Sequence, residues 1–379
     1  MSLYFNNAFA KQPLAQVASI MQPYLRDKFE NPLTESDDAE DCRRQVESGR
    51  EAVAALLESK PGEIYFVSSG TEANNWALKG AATAHQKRKN HIIISAIEHF
   101  SVFQTAQFLQ RQGFDLTIVP VTPEGFVDPH DVEKTIRPTT VLVSIQAASD
   151  EIGAIQNLRE IIELKKRHDD VLFHTDAVQF LCYEMLSVSR HPFDLVSLSS
   201  NALYGPPGIG ALYVREGARI QPLLHGGMQE EGMRPGLQST ALIAGFGEAA
   251  RTGIAQKGNW KQQLAAIQQR IFESVSGWGL SVTGSKNCRL VDNIHVLADV
   301  DGEALLTLLL SEGIKSSSGS TCYQYAQKES HVLSALGVSR EETQGAVLFT
   351  TGIDQTQEDI DILVEATGRM LAHLRRIKA

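Results

Sequence analysis

The sequence predicts an α/β protein: a largely parallel sheet flanked by helices, with a smaller α+β domain at the C-terminal end. Three observations carry this. From Glu63 to Val214, short β-branched runs alternate with segments of helical periodicity, the pattern of repeated βα units. Beyond Gln238 the alternation gives way to long helical stretches with few strands, so a second unit packs on the first. The 379 residues are 42% hydrophobic and 21% charged, enough apolar material for one large core or two moderate ones.

In chain order, strands are expected at residues 64–67, 91–95, 116–119, 141–145, 171–175, 195–198 and 210–214. Between them, 71–89 follows a Ser-Ser-Gly turn and 100–112 repeats apolar residues at helical spacing, so both read as helices. After Gln238 a long helix is expected to break near Lys257-Gly258-Asn259. A helix, a strand at 293–297, a helix at 302–310, a loop at 316–327, a strand at 346–350 and a terminal helix from Gln355 complete the order.

The formal charge of -10 argues against nucleic acid or an anionic membrane as principal partner, because the summed field repels phosphate. No segment is apolar for long enough to span a bilayer, and the N-terminus lacks a basic stretch followed by an apolar run. Cys42, Cys182, Cys288 and Cys322 are widely separated with no CxxC pair, which suggests neither a disulfide framework nor a metal site. A soluble protein of the reducing cytoplasm is expected, with Cys42, Cys182 and Cys288 structural.

Several segments carry chemistry. In Ser68-Ser69-Gly70-Thr71-Glu72-Ala73-Asn74 a strand gives way to a helix, so backbone N–H groups, the helix dipole and hydroxyls converge on a phosphate-sized point, although an ordinary helix cap reads the same way. Asp176, in His174-Thr175-Asp176-Ala177-Val178-Gln179, falls at the carboxyl end of a strand, where α/β folds collect ligands; alone it would read as a turn or cap residue. His99 offers an imidazole that can stack on a flat ring or move protons near neutral pH, and alone it would read as a surface histidine. In Ser317-Ser318-Gly319-Ser320-Thr321-Cys322 a Gly/Ser-rich loop carries a thiol able to form a reversible sulfur adduct, against the alternative of an inert buried cysteine.

The order of these segments, continued by Asp150-Glu151-Ile152-Gly153, Ser199, His225-Gly226-Gly227 and Arg234-Pro235-Gly236, resembles the cysteine desulfurases, the class V branch of pyridoxal phosphate enzymes. The resemblance runs over nearly the whole chain. It implies a fold-type I transferase with a mixed, mainly parallel central sheet, a large domain at 14–250 that binds the cofactor, and a small domain made of 1–13 and 251–379 that carries Cys322. Carried across, it makes Gly70, Thr71 and Ser199 phosphate ligands, His99 a ring-stacking and catalytic residue, and Asp176 and Gln179 partners of the pyridine ring. Cys322 becomes the thiol that attacks the substrate sulfur and carries it as a persulfide. The segment from His225 to Gly236 resembles the loop that reaches the neighbouring site in the family's homodimer, and a sulfur acceptor or iron-sulfur scaffold protein is the implied partner.

Four positions depart from that pattern. Ala202 stands where the family has the lysine that holds pyridoxal phosphate covalently, and Asn201 where it has histidine. Asp150 replaces an asparagine and Leu348 an arginine, both of which hold the substrate carboxylate in the family. Losing the bidentate arginine and adding a carboxylate each disfavour an α-amino acid by about 2 kcal/mol or more in a partly dry site. Three readings follow: a desulfurase-like enzyme that holds pyridoxal phosphate without a covalent bond or through another lysine; a non-catalytic scaffold that keeps Cys322 as sulfur acceptor; or an enzyme of a different amine, with Asp150 as counter-charge.

Overall fold

Residues 2–319 and 329–378 are described by a computed structural model of the chain. The chain enters through β1 (Leu3–Tyr4) and helices α1 (Ala15–Arg26) and α2 (Asp37–Leu57), the latter started by the Ser36 hydroxyl accepting from the Ala39 amide. Strands β2 (Ile64–Val67), β3 (His91–Ser95), β4 (Asp115–Val119), β5 (Thr140–Ser144), β6 (Leu172–Asp176), β7 (Leu195–Ser199) and β8 (Gly210–Val214) form a seven-stranded sheet in the order β2-β8-β7-β6-β5-β3-β4. The run β4, β3, β5, β6, β7 is parallel, while β8 lies antiparallel to both β7 and β2. The sheet is therefore mixed and mainly parallel.

Both faces are covered, which is why the inner strands are continuous apolar runs. In β3, Ile92 and Ile94 join one core with α3 (Gly70–His85) and α4 (Phe100–Arg111) through Trp76, Leu78 and Val102. Ile93, pointing the other way, joins a second core that includes Val53 of α2 and Phe246. The edge strand β4 is half exposed. Short helices α5 (Pro129–Thr135) and α6 (Leu158–Glu163) connect strands on the way.

The expected interruption near Gly258 does not occur: α7 (Thr240–Trp278) runs unbroken for 39 residues. A buried stripe of Gly253, Lys257, Trp260, Leu264, Ile267, Ile271 and Val275 continues through the glycine at helical spacing. Burying that stripe outweighs the roughly 1 kcal/mol that one glycine costs a helix. At its start α7 crosses α2 closely enough that a Cβ on Gly247 would stand 2.7 Å from the Gly49 Cα, so both positions need glycine.

Beyond α7, β9 (Ser281–Val282), β10 (Asn293–Leu297) and a later strand form an antiparallel sheet, with α8 (Gly302–Ser311), β11 (Ile314–Lys315), α9 (His331–Ala335) and α10 (Arg340–Thr343) intervening before that strand, β12 (Ala346–Thr350). Helix α11 (Gln357–Lys378) ends the chain. β1 pairs in parallel with β11, and Asn6 bridges to Thr350, tying the first residues to this sheet. Cys322 and most of the expected 316–327 loop lie outside the described residues. Of the remaining cysteines, Cys42 and Cys182 are buried and Cys288 is exposed.

Candidate functional site

Five chain segments leave the sheet at its carboxyl edge and enclose one cavity of about 360 Å³. After β2 comes Ser68–Thr71; after β3, His99; after β5, Gln146 to Asp150; at the end of β6, Asp176 to Gln179; and at the end of β7, Ser199 to Ala202. The N-terminal residues Ala8, Phe9 and Ala10 close one side. The structure thus brings together Gly70, Thr71, His99, Asp150, Asp176, Gln179, Ser199, Asn201 and Ala202. Leu348 is not among the lining residues: it is fully buried in β12, opposite His295 of β10, with its backbone bonded to Ser317.

At one end, the N-terminus of α3 is capped by Ser69, whose hydroxyl accepts from the Glu72 amide at 3.2 Å. The Gly70 and Thr71 amides belong to the first turn and have no intrahelical acceptor, so they are available to an anion. A Cβ on Gly70 would stand 2.7 Å from Val178 Cγ2, so this cradle depends on glycine. Glu72 is held in turn by Arg234, with Nε at 2.9 Å from its carboxylate, and this Arg234 together with the Ser68 amide keeps the Glu72 pKa low against the opposing effect of burial.

At the other end, Asp176 is the last residue of β6 and only 7% exposed, one position inside the strand rather than just after it. Its carboxylate accepts from Asn74 Nδ2 at 2.6 Å and from the Val178 amide at 3.0 Å. Burial raises its pKa and Asp150 adds to that, while His99 and the two donors pull it back. Asn74 also donates to Ser101 Oγ at 2.8 Å, and Ser101 Oγ lies 2.7 Å from His99 Nδ1. The Ser101 amide donates to the same Nδ1 at 3.2 Å, so this nitrogen is an acceptor and the ring proton is assigned to Nε2. A chain of hydrogen bonds therefore fixes His99 and Asp176 relative to each other.

Asn74, Ser101, Gln146 and Glu98 belong to this site although their roles were not read from the sequence. Asn74 had a legible signal, being a polar residue one turn below Gly70 on a helix face otherwise made of Ala73, Trp76, Ala77 and Leu78. Glu98 lies fully buried behind His99, its Oε1 accepting from Ser95 Oγ at 2.6 Å and the Gln146 amide at 2.8 Å. Burial, reinforced by Asp176, pushes its pKa up to about 8, so it is protonated at neutral pH.

Gln179 lines the cavity, but its Nε2 donates to the Ala8 carbonyl at 2.8 Å. Asn201 is similarly engaged with the N-terminal segment, donating to the Phe9 carbonyl at 3.2 Å. Among the described residues no lysine or arginine lines the cavity. Lys11, next in sequence to the lining residue Ala10, turns away to Tyr183 OH at 2.8 Å and Asp292 at 2.9 Å. Burial disfavours its charge, but Asp292 together with Cys182 and Tyr204 outweighs that, so Lys11 is a locked cation and not a nucleophile. Asp150 sits in a tight turn that closes through the Gly153 amide on the Ser149 carbonyl, Gly153 having φ +72. No hydrogen bond or ion pair reaches the Asp150 side chain among the described residues.

A pyridoxal phosphate-type ligand can be tested against these walls. The glycine-dependent amide cradle suits its phosphate, and the buried Asp176 with a fixed His99 suits its ring; among the described lining residues no amine is present for its aldehyde. Ring and phosphate contacts fit, and the covalent anchor is missing among the described residues.

Comparison with known proteins agrees with this geometry. Residues 3–363 match the aminotransferase class-V family. A cysteine desulfurase IscS from Dictyoglomus turgidum is 37% identical over 378 residues, spanning 99% of this chain and 96% of that one. The mitochondrial cysteine desulfurase of Arabidopsis thaliana is 39% identical over 342 residues, 89% of this chain and 75% of that one. A solved structure described as a NifS-like protein superimposes with a TM-score of 0.93 at 31% identity, over 99% of this chain and 100% of that one. Another, described as SspA in complex with cysteine, gives a TM-score of 0.84 at 33% identity over 94% of this chain and 100% of that one. With fold, cavity and sequence in agreement over nearly its full length, the chain belongs to the class-V aminotransferase family.

Proposed function

We propose that the protein is a cysteine desulfurase-like member of a sulfur-mobilising system, holding a pyridoxal 5′-phosphate-type cofactor without a covalent bond and carrying sulfur as a persulfide on Cys322. The observation that carries this reading is the convergence of Gly70, Thr71, His99, Asp176 and Ser199 on one cavity. When bound, the cofactor supplies an electron-withdrawing ring. In this reading the first-turn amides of α3 and Ser199 hold its phosphate, His99 covers the ring, and Asp176 keeps the proton on the ring nitrogen. The raised proton affinity of Asp176 suits a group that pairs with a cationic ring and would be costly to leave alone. Cys322 is assigned from the resemblance of its Ser-Ser-Gly-Ser-Thr-Cys segment.

The pairing of β1 with β11 and of Asn6 with Thr350 supports grouping residues 1–13 with 251–379 as the small domain and 14–250 as the large one. Exposed Met228 and Leu237, in and beside the segment from His225 to Gly236, support a homodimer formed through that segment. A second reading is favoured by the absence of lysine from the described cavity lining: a non-catalytic scaffold that keeps Cys322 as sulfur acceptor for an iron-sulfur assembly partner.

Asp176→Asn tests the pocket reading. Removing one charge-assisted contact of about 1.5–3 kcal/mol should weaken cofactor binding at least tenfold by calorimetry, with the fold intact by circular dichroism. An unchanged affinity would show that the ring does not sit on Asp176.

A further inference from the structure

We propose that the cavity selects the amine form of its cofactor, pyridoxamine 5′-phosphate, over the aldehyde form. This rests on reading the cavity as a pyridoxal-type pocket and specifies which member of that ligand class it takes.

Two acceptors of the inner wall, the Asp150 carboxylate and Asn74 Oδ1, lack donors among the described residues. The Asp150 carboxylate faces the cavity without a hydrogen bond or ion pair among the described residues. Asn74 is 1% exposed and lines the cavity; both of its N–H groups are spent on Asp176 and Ser101, and its Oδ1 has no partner. His99 Nδ1 accepts from the Ser101 amide, which leaves Nε2–H as its one donor toward a ligand. Besides His99, the ionisable side chains on the wall are two carboxylates, Asp150 and Asp176, with no lysine or arginine among the described lining residues. Donors are concentrated at the opposite end, in the first turn of α3.

A ligand matched to these walls has phosphate oxygens at one end and cationic N–H donors at the other. The aldehyde and amine forms share the phosphate and the ring nitrogen and differ in one substituent. An aldehyde oxygen adds an uncharged acceptor beside the unpaired Asp150 and Asn74 acceptors, and among the described lining residues no amine is there to condense with it. An aminomethyl group is a cation with three N–H donors, which can pair with Asp150 and relieve the repulsion between the two carboxylates and the phosphate. The residues that disfavour the aldehyde, Ala202 and Asp150, are the ones that accommodate the amine.

Isothermal titration at pH 7 with the full-length protein compares pyridoxamine 5′-phosphate, pyridoxal 5′-phosphate and the uncharged alcohol, pyridoxine 5′-phosphate. The amine should bind at least tenfold more tightly than the other two, and Asp150→Asn should reduce that ratio to threefold or less while the variant keeps its melting temperature. Equal affinity of the wild type for all three, or a tenfold preference that survives Asp150→Asn, would overturn the assignment and leave the pocket reading standing. Failure of all three to bind would overturn both. The wild-type ratio decides the matter even where the variant folds poorly.

Discussion

Glu98→Gln probes the electrostatics behind the cavity. The buried Glu98 carboxyl has its pKa moved from an ordinary 4.5 up to about 8, chiefly by burial. Between those values the folded protein holds a proton that the unfolded chain has released, so stability falls as pH rises, by about 1.4 kcal/mol per unit. Summed from pH 4.5 to 8, this one group removes on the order of 5 kcal/mol, after which its contribution is level. Glutamine has the same shape, can accept from Ser95 and the Gln146 amide as Oε1 does, and never ionises. Glu151 is also buried and pushed up to about 8, but it is present in both proteins and cancels in the comparison. Urea unfolding of wild type and variant at pH 5, 6, 7 and 8, followed by tryptophan fluorescence, reads the difference directly. The variant should gain on the wild type by about 1.4 kcal/mol with each unit. Parallel profiles, differing by less than about 0.5 kcal/mol across the series, would refute a neutral carboxyl behind His99.

Two further outcomes follow from the same geometry. Gly258→Ala should raise stability by about 0.5–1 kcal/mol in thermal or urea unfolding, because the position lies inside α7 with nothing within 4 Å of the added Cβ. Ala202→Lys alone should not restore sulfide release from cysteine, since Asp150 still faces the cavity and Leu348 is packed into β12 without presenting a cation; sulfide production by that single variant would show that the carboxylate contacts matter less than this account requires.

Much of the fold is written locally. Strands 64–67, 91–95, 210–214, 293–297 and 346–350 begin and end where their β-branched runs do, because burial on both faces demands unbroken apolar segments. Gly258 misled because a glycine inside a helical pattern signals a break locally, whereas the decision rests on Trp260 and Leu264 being buried against other elements. The lining residues read from the sequence were legible in the order of their motifs, since each lies at or just past the carboxyl end of a strand. What links them was not: Asn74 and Ser101 are 27 positions apart, and Asn74 and Asp176 are 102 apart, and only the folded sheet brings them within hydrogen-bond reach. Leu348 shows the converse, since its place in the motif order does not reveal that it lies buried within the small sheet and not on the cavity wall.

The central claim is a cofactor pocket with ring and phosphate contacts in place and, among the described residues, no amine to hold the cofactor covalently. It is tested by treating the protein, loaded with pyridoxal 5′-phosphate, with borohydride and mapping its peptides by mass spectrometry. The account predicts that the vitamer leaves on denaturation with no pyridoxyl group on any cavity residue. A reduced pyridoxyl-lysine recovered in stoichiometric yield from one peptide would contradict it.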